Sequence, residues 1–162
     1  MGYEPTPKSV SNGMTFRKNL VTDGEISFAV TYLAMSVAER LRRHNLCCTA
    51  VAVTIRTPDQ VSISRCEGLT HPTCLYNEIS EKALRIISQN HPIGQEIYSV
   101  TVHAEKLVTP TECDLQQSFF EMPWEAKYKK IHSLECTVDN IRARYGKKAI
   151  GIASAVNNNL IG

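Results

Sequence analysis

The stretch AVAVTIRTPDQVSIS, residues 50–64, decides the fold of this protein of 162 residues. In its first half valine and isoleucine alternate with alanine, threonine and arginine, and after residue 60 they alternate with serine. A period of two predicts a strand with one apolar and one polar face. Pro58 and Asp59 predict a tight turn between the two halves. The stretch therefore predicts an antiparallel hairpin with one polar face.

The residues in front of the hairpin predict a strand and then a helix. Residues 8–16 alternate between polar and apolar side chains, and Asn12 and Gly13 allow a bend or bulge. Thr22, with a glutamate three residues later, forms a capping box that opens a helix. This helix is predicted to end near Arg43, and its apolar stripe consists of Ile26, Val30, Leu33, Val37 and Leu41.

The residues behind the hairpin complete an α+β fold. Residues 75–88 predict a second helix and residues 98–103 a fourth strand. The order βαββαβ predicts a four-stranded sheet with both helices on one face, over a domain of residues 8–107 that follows a linker of residues 1–7. The other face stays open, either as an ordinary solvated surface or as a binding surface. It is predicted to carry Ser11, Ala52, Thr54, Arg56, Ser62, Ser64, Ser99, Thr101 and His103.

The last third of the chain predicts a linker at residues 108–123 and a basic helical tail at residues 124–162. The tail contains a third amphipathic helix closed by Gly146. Its apolar seam is predicted to be Trp124, Tyr128, Ile131, Leu134, Val138, Ile141 and Tyr145, packed against another surface of this chain or of another chain. Its positive charge comes from Lys127, Lys129, Lys130, Arg142, Arg144, Lys147 and Lys148.

Composition and cysteine spacing point to a cytoplasmic protein. No apolar run approaches the roughly 20 residues of a bilayer-spanning helix, and the N-terminus lacks the pattern of a signal peptide. The six cysteines are irregularly spaced, which favours thiols over a disulfide framework. Cys66, His71 and Cys74 come nearest to a metal pattern but lack a fourth ligand, so no metal site is predicted.

The sequence contains no catalytic motif. Phosphate-binding glycine loops, nucleophile elbows and zinc-protease motifs are missing. The four aspartates are scattered, and the five histidines have no carboxylate or thiol at motif spacing. We therefore do not expect this chain to be a catalyst by itself, and we expect no cofactor in it.

Five segments resemble the C-terminal part of a bacterial Y-family (DinB/UmuC-like) translesion DNA polymerase, namely its little-finger domain and tail. The segments are KSVSNGMTF (8–16), AERLRR (38–43), VSISR (61–65), QQSFF (116–120) and IRARYGKKAI (141–150). The resemblance implies that a palm domain, with carboxylates that hold Mg²⁺, precedes Lys8 in the parent polymerase. The chain is then expected to be a C-terminal fragment of that enzyme, with a free-standing protein as the alternative.

The resemblance also implies that the open sheet face grips the sugar-phosphate backbone of template-primer duplex DNA. Hydroxyls and a few basic side chains hold phosphates without reading bases. Cys66 and Glu67 depart from the family pattern, because many members carry a second arginine there, and a carboxylate repels phosphate. The implied DNA-binding residues are Lys8, Ser9, Ser11, Asn12, Thr54, Arg56, Ser62, Ser64, Arg65 and Thr101.

The segment QQSFF resembles the peptide by which bacterial polymerases dock on the sliding clamp. The resemblance implies that Gln116 hydrogen-bonds at the rim of a pocket, while Phe119 and Phe120 fill an apolar cleft. The alternative is that the two phenylalanines pack back onto the sheet and its helices or onto the third helix.

Two other functions remain open at this point. In the first, the chain is a non-catalytic adaptor, whose tail recruits the clamp or other partners while the sheet face is inert. In the second, the chain binds RNA, which is less favoured because the predicted open face has no aromatic pair on which bases stack.

Overall fold

The structure, a computed structural model, describes residues 6–110, 123–151 and 153. The alternating and helical patterns of the sequence become four strands and three helices within these ranges. They are β1 (Ser9–Leu20), α1 (Asp23–Arg43), β2 (Cys47–Arg56), β3 (Ser62–Thr73), α2 (Tyr76–Asn90), β4 (Ile97–Val108) and α3 (Pro123–Tyr145).

The predicted hairpin is present. β2 and β3 pair antiparallel, and the Thr57 N–H donates to the carbonyl of Val61 at 3.0 Å across the turn. Gln60, with φ of +64°, takes the left-handed conformation that closes the turn. The turn at Pro58 and Asp59 is therefore confirmed.

The four strands form one antiparallel sheet in the order β1-β4-β2-β3. β1 and β3 are consequently the edge strands. α1 and α2 pack against each other and cover one face of the sheet. The predicted α+β fold with both helices on one face is confirmed.

α1 begins and packs as its sequence predicts. The Thr22 hydroxyl accepts from the Glu25 N–H at 3.2 Å, and the Glu25 carboxylate accepts from the Thr22 N–H at 3.2 Å, which completes the capping box. The five residues of the predicted apolar stripe are all buried. Their burial against the sheet supplies much of the apolar contact that stabilises the domain.

β1 differs from prediction at its glycine. Its pairing with β4 is continuous from Ser9 to Thr15, and the irregularity lies between Thr15 and Leu20, so Asn12 and Gly13 form no bulge. Gly13 pairs with Thr101, and a Cβ on Gly13 would lie 2.4 Å from the Thr101 hydroxyl oxygen. Glycine is required here for close approach to a neighbouring side chain.

The described residues contain no helix long and apolar enough to cross a membrane. Over the same ranges, no group of three or more His, Cys, Asp or Glu residues is placed to hold a metal ion. Cys66 is exposed, Cys74 is buried, and His71 lies 3.1 Å from the Glu78 carboxylate.

Candidate nucleic-acid interface

The open face of the sheet is built from four rows of side chains. Directly paired residues point to the same face of an antiparallel sheet, so the strand register assigns each row. In the strand order β1-β4-β2-β3 the rows are Ser9-Glu105-Ala50-Gly68, Ser11-His103-Ala52-Cys66, Gly13-Thr101-Thr54-Ser64 and Thr15-Ser99-Arg56-Ser62. All nine residues predicted for the open face are in these rows.

The third and fourth rows concentrate hydroxyl groups. Ser62 and Ser64 are exposed on the edge strand β3, and Thr54 and Thr101 are half-buried on the central strands. The Thr54 hydroxyl lies 3.1 Å from the Ser64 hydroxyl and 3.1 Å from Nε2 of His103. This network orients donors toward the side of the sheet that the helices leave uncovered.

The charges of the open face are separated along the strands. Arg56 is exposed in the fourth row, and Glu105 is half-buried in the first row. Three row spacings, at roughly 7 Å each, separate these two side chains by about 20 Å. Sequence reasoning missed Glu105, although its place in the alternation of β4 predicts its face. A polyanion is therefore favoured at the Arg56 end.

The structure does not place all ten residues that the resemblance implies for DNA binding on the same face of the sheet. Seven lie on the open face, namely Ser9, Ser11, Thr54, Arg56, Ser62, Ser64 and Thr101. Asn12 pairs with Val102 and Arg65 pairs with Val53, which puts both on the helix side of the sheet. Lys8 precedes β1.

Glu67 does not lie on the open face. It pairs with Val51 on the helix side, and its carboxylate lies 2.9 Å from Nζ of Lys82 on α2. The register therefore turns this carboxylate away from the open face, and Lys82 offsets its charge.

α3 docks on the helix side through an arginine between two carboxylates. Arg42, at the end of α1, donates to Glu135 and also donates from Nε to Asp139 at 2.5 Å. The Arg42 and Glu135 side chains are 6% and 7% exposed. Arg42 also donates to the carbonyl of Cys74 at 2.9 Å, and the Tyr76 N–H donates to Glu135 at 3.3 Å.

The protonation of this cluster depends on burial and pairing together. Burial raises the pKa of Glu135 to about 7, against the opposing effect of the Arg42 charge. Burial also works against the charge of Arg42, but the hydrogen bond that Arg42 donates to Asp139 and the charge of Glu135 hold the pKa of Arg42 above its ordinary value. Arg42 is thus the group that allows Glu135 to be buried in its charged form.

The predicted apolar seam of α3 is only partly correct. Leu134 is 63% exposed and Tyr145 is 71% exposed, so neither packs on the domain, while Tyr128, Ile131, Val138 and Ile141 are half-buried. The Trp124 side chain lies outside the described residues. The helix closes as predicted, with Gly146 at φ of +97° and its N–H donating to the Arg142 carbonyl.

The described part of α3 docks away from the open face of the sheet. The hydrogen bonds described between α3 and the domain go to Arg42, Cys74 and Tyr76, all away from the open face. Ser11, Arg56, Ser62 and Ser64 are exposed in the presence of α3. The described part of α3 therefore leaves these groups accessible to a ligand. Gln116, Phe119 and Phe120 lie outside the described residues.

Comparison with known proteins finds one protein family and a set of related polymerases. A family model for the impB/mucB/samB family C-terminal domain matches residues 7–119. DNA polymerase IV of Acetivibrio thermocellus is 28% identical over 155 residues, which cover 90% of this chain and 38% of that protein.

Two further relatives match at similar levels. DNA polymerase IV of Bacillus anthracis is 27% identical over 139 residues, covering 86% of this chain and 33% of that protein. DNA polymerase IV 1 of Halalkalibacterium halodurans is 27% identical over 143 residues, covering 88% and 34%. The chain therefore spans about a third of the length of the curated relatives it matches.

Proposed function

This chain belongs to the impB/mucB/samB family through its C-terminal domain, and from that premise we propose that it holds the template-primer duplex for a Y-family translesion DNA polymerase. The duplex is gripped by its sugar-phosphate backbone, without base readout. Damage bypass needs such a grip, because the bases beside a lesion are irregular while the phosphates remain. The observation that carries the proposal is the uncovered, hydroxyl-rich face of the sheet.

The register supports the open face as the contact surface. Its third and fourth rows offer several hydroxyl donors beside Arg56, and the carboxylate of Glu67 points to the other side. Hydroxyl donors and arginine are the groups that commonly contact phosphate oxygens. Lys8, Asn12 and Arg65 stay as predictions from the resemblance. A cytoplasmic location is part of the proposal, since the described cysteines are thiols.

The first test compares two arginines of the same hairpin that lie on opposite faces. We expect Arg56→Glu to weaken binding to a primer-template duplex about tenfold, about 1.4 kcal/mol, on every sequence tested. Arg65→Glu makes the same charge change on the helix side of the sheet and should reduce the affinity for duplex by less. Fluorescence anisotropy over a series of salt concentrations measures both, and Arg56→Glu should also flatten the salt dependence.

Glu105→Gln provides a control of opposite sign, because removing a carboxylate from the open face should strengthen binding. A loss for Arg65→Glu equal to or greater than that for Arg56→Glu would contradict the open face as the main contact. It would favour the edge of β3 instead, where Nη1 of Arg65 donates to the Ser64 carbonyl.

The proposal includes docking of residues 116–120 on the bacterial sliding clamp. Two adjacent large apolar side chains suit neighbouring subsites of a cleft. We expect Phe119→Ala combined with Phe120→Ala to reduce capture by immobilised clamp at least about tenfold, with Gln116→Ala costing less. DNA affinity should be unchanged in these variants.

The clamp and DNA measurements together separate this function from the adaptor alternative. Clamp capture without binding to primer-template DNA at low salt would favour the adaptor. Capture that survives removal of both phenylalanines would place the clamp contact elsewhere in the chain.

A further inference from the structure

Two cysteines face each other where β2 begins and β3 ends. Cys48 pairs with Thr73 at the end of the ladder, and Cys47 and Cys74 are the next residues outward on the two segments, where their side chains hydrogen-bond to each other. Directly opposed residues have Cα atoms about 4.5–5.5 Å apart, and disulfides span about 4.4–6.8 Å between Cα atoms. Both residues are buried, with Cys47 7% and Cys74 3% exposed. The adjoining Cys48–Thr73 pair and the hydrogen bond between the side chains bring the two sulfurs together, although both are thiols.

Neighbouring cysteines are less suited to this bond. Cys48 adjoins Cys47 in β2 and therefore points to the opposite face of the sheet. Cys66 is exposed in the second row of the open face. Cys136 lies on α3 with its sulfur 3.8 Å from Nδ1 of His132. Among the described cysteines, Cys47 and Cys74 are the pair whose side chains hydrogen-bond to each other beside paired strands.

α3 covers the sulfur of Cys74 with two aromatic side chains. The Tyr128 hydroxyl accepts from the Cys74 N–H at 3.1 Å and lies 3.5 Å from the Cys74 sulfur. The imidazole of His132 stacks on Tyr128, with ring centroids 6.1 Å apart. The state of the Cys74 sulfur therefore bears directly on the contacts that hold α3.

We propose that Cys47 and Cys74 are a reversible oxidation site, in which a hydroperoxide joins the two thiols as a disulfide and the disulfide loosens α3. This site is distinct from the open face, so DNA binding by that face does not test it.

The reactivity of Cys74 agrees with this geometry. The pKa of Cys74 is lowered to about 5, chiefly by a hydrogen bond from Cys47. Burial alone would raise this pKa, but hydrogen bonds with His132 and Tyr128 lower it further. The hydrogen bond to Cys74 in turn raises the pKa of His132. Burial raises the pKa of Cys48 to about 12, so that thiol is inert by comparison.

The reaction balances with one hydroperoxide. The Cys74 sulfur attacks a peroxide oxygen, the O–O bond breaks, and the sulfur becomes a sulfenic acid. The Cys47 sulfur then attacks that sulfur, the S–S bond forms, the S–O bond breaks, and water leaves with the Cys47 proton. With hydrogen peroxide, two thiols yield one disulfide and two waters, and the electrons pass from sulfur to oxygen. A dithiol reductant restores the two thiols by exchange and becomes a disulfide itself.

Oxidation changes what α3 contacts. The thiolate accepts hydrogen bonds from His132 and Tyr128, whereas a disulfide sulfur is a poor acceptor and carries no charge. The S–S bond also redirects the Cys74 side chain toward Cys47. α3 consequently loses two of the contacts that hold it beside the end of β3.

The test treats the full chain with excess hydrogen peroxide and maps its peptides by mass spectrometry without reduction. We expect a cross-linked peptide pair containing Cys47 and Cys74, lighter by two hydrogen masses and absent after dithiol treatment. Cys66→Ser should still form it, while Cys47→Ser and Cys74→Ser should not. Oxidation of Cys66 in the wild-type chain without that cross-link would overturn the site.

Hydrogen exchange measures the effect on α3 in the same samples. We expect backbone amides of residues 128–142 to exchange about tenfold faster in the disulfide form than in the reduced form. A cross-link with unchanged exchange in α3 would overturn the proposed loosening. Because both measurements use the wild-type chain, they hold even if a cysteine variant fails to fold.

Discussion

Replacing Arg42 by alanine is expected to release α3 and to lower the free energy of unfolding by about 3–5 kcal/mol. The substitution leaves the buried Glu135 carboxylate without its cation and removes the partner of Asp139. Oε1 of Glu135 is already buried with no hydrogen-bond partner among the described residues. Urea denaturation measures the loss, and amide exchange in α3 reports the release.

The loss from Arg42→Ala should depend on pH. Burial raises the pKa of Glu135 to about 7 in the folded state, above its unfolded value of about 4.5. Arg42 lowers this pKa, so its removal raises the pKa of Glu135 further, and the folded variant binds a proton more readily than the unfolded chain. The variant therefore regains stability as pH falls through that raised pKa. We expect a smaller loss at about pH 5.5 than at about pH 8.

Arg43→Ala is the matched control for this variant. Arg43 is the next residue of α1, and it pairs with Glu39 at 2.8 Å while its side chain is 64% exposed. A surface pair of this kind contributes at most about 1 kcal/mol. Equal losses for the two variants would contradict the docking of α3 through Arg42.

The sequence predicts the elements of this fold well because their patterns are local. The alternation in residues 50–64 assigns the hairpin and its faces, and Thr22 with Glu25 marks the start of α1. The docking of α3 is different, because Arg42 and Glu135 are 93 positions apart and pair through charge. No periodicity connects them. Apolar spacing in α3 therefore wrongly predicts that Leu134 packs on the domain, whereas Leu134 is exposed.

The predicted DNA-binding residues show a second limit of prediction from sequence. The resemblance assigns contiguous stretches of β1 and β3 to DNA, but adjacent residues of a strand point to opposite faces. Ser11 and Asn12 therefore cannot both lie on the open face, and neither can Ser64 and Arg65. The strand register shows which residue of each adjacent pair lies on the open face. It also places the carboxylate of Glu105 on that face, at the end opposite Arg56, where it disfavours a polyanion.

Gly13→Ala should destabilise the chain by about 1–3 kcal/mol, because the added methyl overpacks the row that it shares with Thr101. That methyl would lie 2.4 Å from the Thr101 hydroxyl oxygen and 3.1 Å from its Cβ. The threonine is β-branched and flanked by two strands, so it has few rotamers into which it can retreat. Thermal or urea denaturation measures the change.

Gly68→Ala is the control for the same substitution on the same face. A Cβ on Gly68 meets no other atom within 4 Å, so this variant should be neutral or stabilised by up to about 1 kcal/mol. Thr101→Ala combined with Gly13→Ala removes the hydroxyl oxygen and should recover part of the loss. If the double variant is no more stable than Gly13→Ala, the close contact with Thr101 is not what requires glycine in β1. If it recovers, β1 and β4 can pair at this row because Gly13 has no side chain beside that of Thr101.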